Sequence, residues 1–354
     1  MLYGGREMWR EIIKGEYKGY KVEVNELPIF LARNENPYDI PIDIKREIVE
    51  RLINTPWNRY PDSKALRLRR AMSEFIGLPM EQFLFGNGSG EIINIIANAL
   101  LRPKDKVILT FPTFPLYPKI FLQKDVEIIY INLDEEFNIP WKEIENYIEK
   151  DIKLIVFCNP NNPTGNLLLN TEDINRFRDF KGFILIDEAY YEFSGITFLP
   201  FLKMYPNLLI LRTFSKAFSS AGVRLGYIMG NEKVIEYLEN YRLPYNLNIF
   251  SQIAGEIVIK YWDLLKDRIE FIKRERDYMY KKMKEISNIT VYPSFANFIF
   301  FTSELKEKIQ ENMINNGISL RDFSKDVRNA LRVTVGNEFE NRSFLKCLLE
   351  VFKE

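Results

Sequence analysis

From about residue 83 to residue 229, short apolar runs alternate with amphipathic stretches. The runs are Phe83–Phe85, Val107–Leu109, Ile128–Ile131, Leu154–Phe157, Phe183–Ile186 and Leu208–Leu211, most of them closed by Gly, Pro, Asn or Asp. Several lead into helix-like segments such as Glu91–Leu101. Continuous apolar strands alternating with helices predict a mostly parallel sheet covered on both faces. In such α/β sheets ligands collect beyond the carboxyl ends of the strands, so the polar residues just after these runs are the candidates for chemistry.

After about Tyr245 the rhythm changes. A charged helical stretch from about Ser251 to Ile286, with Arg268, Lys273, Arg274 and Arg276 interspersed, reads as a solvated face with some interdomain contact. Short strand-like pieces follow at Ile289–Tyr292, Asn297–Phe301 and Leu331–Val335. The expected organisation is a large α/β domain over residues 41–248 and a smaller α+β domain from residues 1–40 and 249–354. A chain of 354 residues is long enough to divide in this way.

Composition removes whole classes of function. Forty-nine basic residues balance forty-nine acidic ones, which argues against a nucleic-acid or membrane-surface partner. No run reaches membrane-spanning length and the first residues lack an apolar leader. Cys158 and Cys347 form no disulfide framework, so a reducing cytoplasm is the expected compartment. The chain contains no histidine. Imidazole bases, Ser-His-Asp triads and histidine-ligated metals are therefore excluded, no metal site is expected, and proton transfer falls to Lys, Tyr, Asp, Glu or Cys.

The polar segments behind the apolar runs are specific in kind. Thr213-Phe214-Ser215-Lys216 with Arg224 downstream suits a phosphorylated aldehyde cofactor: the lysine forms the covalent link, while hydroxyls and guanidinium hold a phosphate dianion. The plain alternative is a surface lysine in a Ser-rich loop. Asp187, at a strand end, can keep a pyridine nitrogen protonated, and Tyr190 can reach the ring hydroxyl. Alone, Asp187-Glu188 would equally suggest a metal site or a nucleotide-binding acid, but no GxxxxGK[ST] loop accompanies it. Asn159–Gly165 is first of all a turn, from which an Asn amide could donate to the phenolate oxygen. Gly86-Asn87-Gly88-Ser89-Gly90-Glu91 lies between a strand and a helix, the setting of a phosphate cradle; its GxGxG spacing departs from the dinucleotide fingerprint. Phe114 could stack on a flat ring or simply be a core residue.

Taken together, these segments resemble fold-type I pyridoxal-phosphate aminotransferases of classes I and II, over nearly the whole chain. Within that superfamily the chain is most similar to the histidinol-phosphate aminotransferases. The stretches that carry the likeness are Asn34–Tyr38, Asn58–Asp62, Gly86–Ile93, Leu211–Gly226 and Leu331–Gly336. The resemblance implies pyridoxal 5'-phosphate as cofactor and transamination between an amine, histidinol phosphate above all, and 2-oxoglutarate. It implies that Lys216 binds the cofactor and shuttles protons, and that Asp187 pairs the pyridine nitrogen. Tyr190 and Asn162 would hold the ring oxygen. Ser89, Gly90, Glu91, Thr213, Ser215 and Arg224 would hold the phosphate, with Phe114 against the ring. Tyr60 would reach the phosphate of a neighbouring subunit's cofactor, which implies a homodimer with shared sites. Arg332 and Arg321 would bind substrate anions, joined by Tyr60 and Asn162.

Two departures stand out. The family's N-terminal Pro-Tyr-x-Pro-Gly-like stretch is replaced by Glu26-Leu27-Pro28-Ile29-Phe30, which leaves Tyr17, Tyr20 or Phe30 to cap the substrate. The cradle reads Ser89-Gly90-Glu91 where the family commonly has Ser-Asp-Glu. Rival readings on the same scaffold are a threonine-phosphate decarboxylase-like lyase, to which Tyr3-Gly4-Gly5-Arg6 bears a faint likeness, and an aromatic or broad-specificity aminotransferase. A non-enzymatic regulator built on this fold is a further alternative, set against which the pattern begins by about residue 31.

Overall fold

The computed structural model describes residues 27–148 and 151–353. Tyr17, Tyr20 and the Tyr3–Arg6 segment lie outside the described residues.

Each of the apolar runs forms a strand: β2 (Phe83–Gly86), β3 (Lys106–Phe111), β4 (Glu127–Asn132), β5 (Ile152–Cys158), β6 (Phe183–Asp187) and β7 (Leu208–Thr213). Together with β8 (Gly226–Gly230) they make a seven-stranded sheet in the order β2-β8-β7-β6-β5-β3-β4. All pairings are parallel except those of β8, which runs antiparallel to both β2 and β7. The sequence pattern did not single out β8, because its apolar run Tyr227–Met229 is short and bounded by glycines. Apolar clusters cover both faces, which is why the strands read as unbroken hydrophobic runs rather than alternating ones.

Register then fixes the site. Thr213 of β7 and Gly86 of β2 both pair with Gly226, so three chain segments meet at one edge of the sheet. Cys158 pairs with Asp187, and the ladder continues through Asn159 N–H to Asp187 O (2.9 Å) and Glu188 N–H to Leu211 O (2.8 Å).

A smaller antiparallel sheet follows, ordered β12 (Arg321–Asp322), β13 (Ala330–Thr334), β10 (Phe298–Thr302), β9 (Thr290–Val291). Residues near the start of the described chain join this part of the molecule: β1 (Ile29–Phe30) pairs in parallel with β11 (Ile318–Ser319). The stretch expected as one charged helix is two, Ile249–Lys260 and Trp262–Lys284, broken at Tyr261. The first is buried along most of its length rather than solvated, with Ser251 Oγ donating to Val223 O at 2.6 Å. Arg276, placed by sequence on a solvated face, is buried and donates to Ala296 O at 3.3 Å beside the small sheet. Among the described residues no helix is long and apolar enough to cross a membrane, and no cluster of potential metal ligands occurs.

Candidate active site

A cavity of about 360 Å³ opens between the carboxyl ends of β5, β6 and β7 and the small sheet. Its lining includes Ser89, Gly90, Phe114, Asn162, Asp187, Tyr190, Thr213, Ser215, Lys216, Arg224, Arg321 and Arg332, so the residues picked from separate stretches of sequence converge.

Lys216 sits in the loop after β7. Asn36 Nδ2 donates to the carbonyl oxygens of Lys216 and Ala217 (3.3 and 3.4 Å), and Lys216 Nζ donates to Arg33 O at 2.8 Å. Burial, then the Arg332 cation, push its amine down to about 7, with Glu35 and Asp187 pulling the other way. An amine titrating there is a neutral nucleophile at physiological pH. The rate at which apo-protein captures pyridoxal phosphate is therefore expected to rise through a midpoint near pH 7 and level off above it. Stopped-flow absorbance across pH 5–10 checks this; a midpoint near the 10.5 of an ordinary lysine would contradict it.

Asp187 is buried at the end of β6, where Tyr117 Oη donates to its Oδ2 (2.7 Å) and Ala189 N–H to its Oδ1 (3.1 Å). Burial pushes the carboxyl up to about 6 against those two bonds. Tyr117, fully buried, was missed by sequence reasoning; it lies one helical turn after Phe114, a spacing equally typical of core packing. The Tyr190 hydroxyl accepts from Asn34 Nδ2 at 3.0 Å, and burial pushes it up to about 12. Asn34 holds a left-handed φ of 56°, and its backbone N–H donates to Thr334 Oγ1 (2.9 Å) while Asn297 Nδ2 donates to its carbonyl (3.0 Å). Asn34 thereby ties Tyr190 to the small sheet. Its stretch was noted in the sequence, but no role was assigned to it.

Arg332 donates to Asn162 Oδ1 and, at 2.8 Å, to Ala32 O, with its guanidinium 5.1 Å from the ring centroids of both Phe298 and Phe323. With Asn162 Oδ1 so engaged, the amide nitrogen remains as the donor for a ring oxygen. Arg321 faces Arg332 in register on the adjacent strand. Phe30 lines the cavity as well, together with Arg33 and Glu35, which sequence reasoning did not select.

The cradle is tight. Gly88 (φ 82°) precedes helix Ser89–Leu100, and no side chain caps that end, so backbone N–H groups stay available to an anion. A Cβ on Gly88 would stand 2.4 Å from Arg224 Nη2, and one on Gly226 would stand 2.4 Å from Ser89 N. Only glycines let the guanidinium and the helix end approach one another this closely. Thr213 Oγ1 lies 3.0 Å from Ser215 Oγ and accepts from Ser215 N–H at 3.1 Å. Hydroxyls, backbone N–H groups and a guanidinium around one point fit a phosphate dianion, with a carboxylate and an amine placed for a pyridine nitrogen and an aldehyde.

Two assigned residues stand elsewhere. Glu91 does not line the cavity: its carboxylate accepts from Asn87 N–H and from Asn246 Nδ2 (3.0 Å), locking the loop behind the cradle. A carboxylate would in any case repel a phosphate, so the side chain acts as a buttress. Glu91→Leu is expected to weaken cofactor binding about tenfold by freeing that loop, and Glu91→Gln much less, as measured by equilibrium dialysis of the apo-protein. Tyr60 also lies outside the cavity, 80% exposed and stacked on Tyr245 with centroids 4.5 Å apart.

The fold and this set of donors define a fold-type I pyridoxal-phosphate enzyme. The family model of aminotransferase class I and II matches residues 28–348, and the chain belongs to that family. It is an aminotransferase that uses pyridoxal 5'-phosphate. It is similar to the histidinol-phosphate aminotransferase of Clostridium novyi, 33% identical over 345 residues and covering 97% of each chain. The enzyme of that name from Pyrococcus furiosus is 36% identical over 348 residues, covering 98% of each. Among solved structures, histidinol-phosphate aminotransferase from Clostridium acetobutylicum superposes with a TM-score of 0.84 at 26% identity, over 92% of this chain and 99% of that one.

Proposed function

We propose that the chain moves the amino group of histidinol phosphate to 2-oxoglutarate, in histidine biosynthesis. The observation that carries this reading is the pair of arginines on adjacent strands, Arg321 facing Arg332, at a cavity that also holds Lys216 and the phosphate cradle. One partner substrate bears a phosphate and no carboxylate and the other bears two carboxylates, and guanidinium groups bind either anion bidentately. The names of the relatives point the same way.

In this reading Arg332 and Arg321 anchor the substrate anion, Phe30 borders the space for its side chain, and Phe114 lies against the cofactor ring. Bound pyridoxal phosphate supplies the electron sink for the bond electrons left at the substrate carbon. Asp187 keeps a negative charge against the ring nitrogen, and Tyr190 and Asn162 hold the ring oxygen. Lys216 Nζ, once released by the incoming amine, would take the proton from the amine-bearing carbon and deliver it to the cofactor's former aldehyde carbon, and would carry a proton the opposite way in the second half of the cycle. Its lowered pKa suits both duties.

We further read the division into residues 41–248 and residues 1–40 with 249–354 as the two bodies that enclose the substrate, a view supported by the pairing of β1 with β11. The homodimer with shared sites is supported by Tyr60 and by the exposed apolar side chains near it in sequence, Ile53 (72%) and Trp57 (74%). Mixing Tyr60→Ala with Lys216→Ala chains tests it: hybrids that share sites regain activity, whereas independent sites stay inactive. Placement in the cytoplasm is supported by the two cysteines, both buried and unpaired by disulfide.

The substrate is tested by adding L-histidinol phosphate to the loaded enzyme without a keto acid. The visible band of the bound cofactor is expected to convert to a pyridoxamine-type band faster than with phenylalanine or aspartate. Conversion only by aromatic amino acids would overturn the substrate, and carbon dioxide release from threonine phosphate would replace the reaction by decarboxylation.

A further inference from the structure

Directly behind the site, on the opposite face of the large sheet, lies a buried ion pair that the mechanism does not use. Glu188 and Arg212 are 0% and 1% exposed. Arg212 Nε and Nη2 both donate to Glu188 Oε2, at 2.9 and 2.7 Å. The carboxylate also accepts from Phe198 N–H (2.6 Å) and from Thr197 Oγ1 (2.8 Å to Oε2), while Arg212 Nη2 lies 2.7 Å from that hydroxyl. The guanidinium carbon stands 3.4 Å from the Tyr191 ring centroid.

The place of the pair is what distinguishes it. Glu188 follows Asp187, and Arg212 precedes Thr213. Successive residues of a strand point to opposite faces, so each member sits back to back with a residue lining the cavity. Neither member lines the cavity itself. The backbone ladder between β6 and β7 uses neither side chain: it pairs Ile184 with Leu208 through Asp187 with Leu211 and takes only the backbone N–H of Glu188. Burying two charges costs more than burying two apolar side chains of similar size, so stability alone gives little reason for the pair.

We propose that Glu188 and Arg212 are positioning residues for the cofactor: across the sheet they fix the ends of β6 and β7, and with them the carboxylate of Asp187 and the hydroxyl of Thr213. The pair also balances charge. A lone Glu188 carboxylate would push the neighbouring Asp187 toward its protonated form, and Arg212 offsets it. Glu192, which faces the same guanidinium, is pushed by burial up to about 8 and so carries a proton at neutral pH.

The inference rests on the reading of Asp187 as the partner of the ring nitrogen, and the experiment separates the two. In Arg212→Met, the cofactor dissociation constant is expected to rise at least about tenfold. The midpoint of the pH titration of the bound cofactor's absorbance is expected to move up by about one unit, because a stranded carboxylate favours cationic forms. Arg212→Lys, which keeps the charge and loses the two-point contact, is expected to hold the midpoint while binding the cofactor less tightly. The double variant Glu188→Leu with Arg212→Leu removes both charges and is expected to return the midpoint to the wild-type value. It also supplies the test if Arg212→Met does not fold, since weakened cofactor binding is expected there too. A merely structural pair would lower the melting temperature of these variants and leave midpoint and dissociation constant unchanged, which would overturn the proposal. Asp187→Asn is the control. If it shifts the absorbance midpoint and the pair variants do not, only the positioning role falls; if it shifts nothing, the reading of Asp187 falls first.

Discussion

Replacing Lys216 by alanine is expected to lower kcat by about ten-thousand-fold or more, since in the proposed function the residue is both nucleophile and proton carrier and general-base catalysis alone contributes about 10²- to 10⁴-fold. With no histidine in the chain, no imidazole can take over. Noncovalent cofactor binding should persist, because the donors around Arg224 and Gly88 are untouched. The visible absorbance of the bound cofactor should shift to that of the free aldehyde. Stability supplies an independent readout. The amine is held near 7 in the folded chain against 10.5 ordinarily, so between those values the unfolded chain binds more protons. Wild-type apo-protein should gain stability as pH rises from about 7 toward 10 and lose it as pH falls, and the alanine variant should lack this slope. A variant that keeps turnover within about tenfold of wild type would remove Lys216 from the mechanism.

Replacing Asp187 by asparagine is expected to cost about 2–5 kcal/mol in kcat/KM, or roughly thirty- to several-thousand-fold, the range for truncating one partner of a buried, hydrogen-bonded charge pair. The asparagine keeps the volume and loses the charge that, in the proposed function, holds a proton on the ring nitrogen. The wild-type carboxyl is raised to about 6 by burial, so the fraction ionised falls as pH drops through that value. Cofactor affinity of the apo-protein should fall with it. Tyr117→Phe removes a hydrogen bond that lowers the carboxyl, and so should move this midpoint upward. Affinity measured by dialysis between pH 4.5 and 8 checks both. An Asp187→Asn enzyme with unchanged kcat/KM would show that another group protonates the ring.

The chemistry was legible because it is local. Thr213, Ser215 and Lys216 lie within four consecutive residues, and Asp187 and Tyr190 within another four, each just beyond an apolar run. Segments of that kind report their place at a strand end directly. Glu91 shows the opposite case: its turn borders the cavity through Ser89 and Gly90, but its side chain turns back to Asn87 N–H and Asn246, a contact across 155 positions. Tyr117 escaped notice because a buried tyrosine reads like a core residue until its hydroxyl is seen on Asp187. In the second half of the expected charged helix Arg274 is exposed as read while Arg276 is buried against Ala296, and the first half was buried by Leu225, Leu68 and their neighbours, which no local pattern reveals.

The sequence by itself determined six of the seven strands of the large sheet, their mostly parallel pairing and the absence of imidazole chemistry, and it singled out Lys216 as the candidate cofactor lysine. These follow from runs of apolar side chains and from residue types that sit close together along the chain. Tertiary structure alone decided the antiparallel β8, the register that brings Gly86, Gly226 and Thr213 to one edge, the seat of Asn34 beneath Tyr190, and the ion pair Glu188–Arg212 behind the site. Each of these depends on groups from distant parts of the chain meeting in a water-poor interior. There hydrogen bonds and charges are strong enough to set geometry and pKa, and no pattern of neighbouring residues encodes which distant partner will arrive.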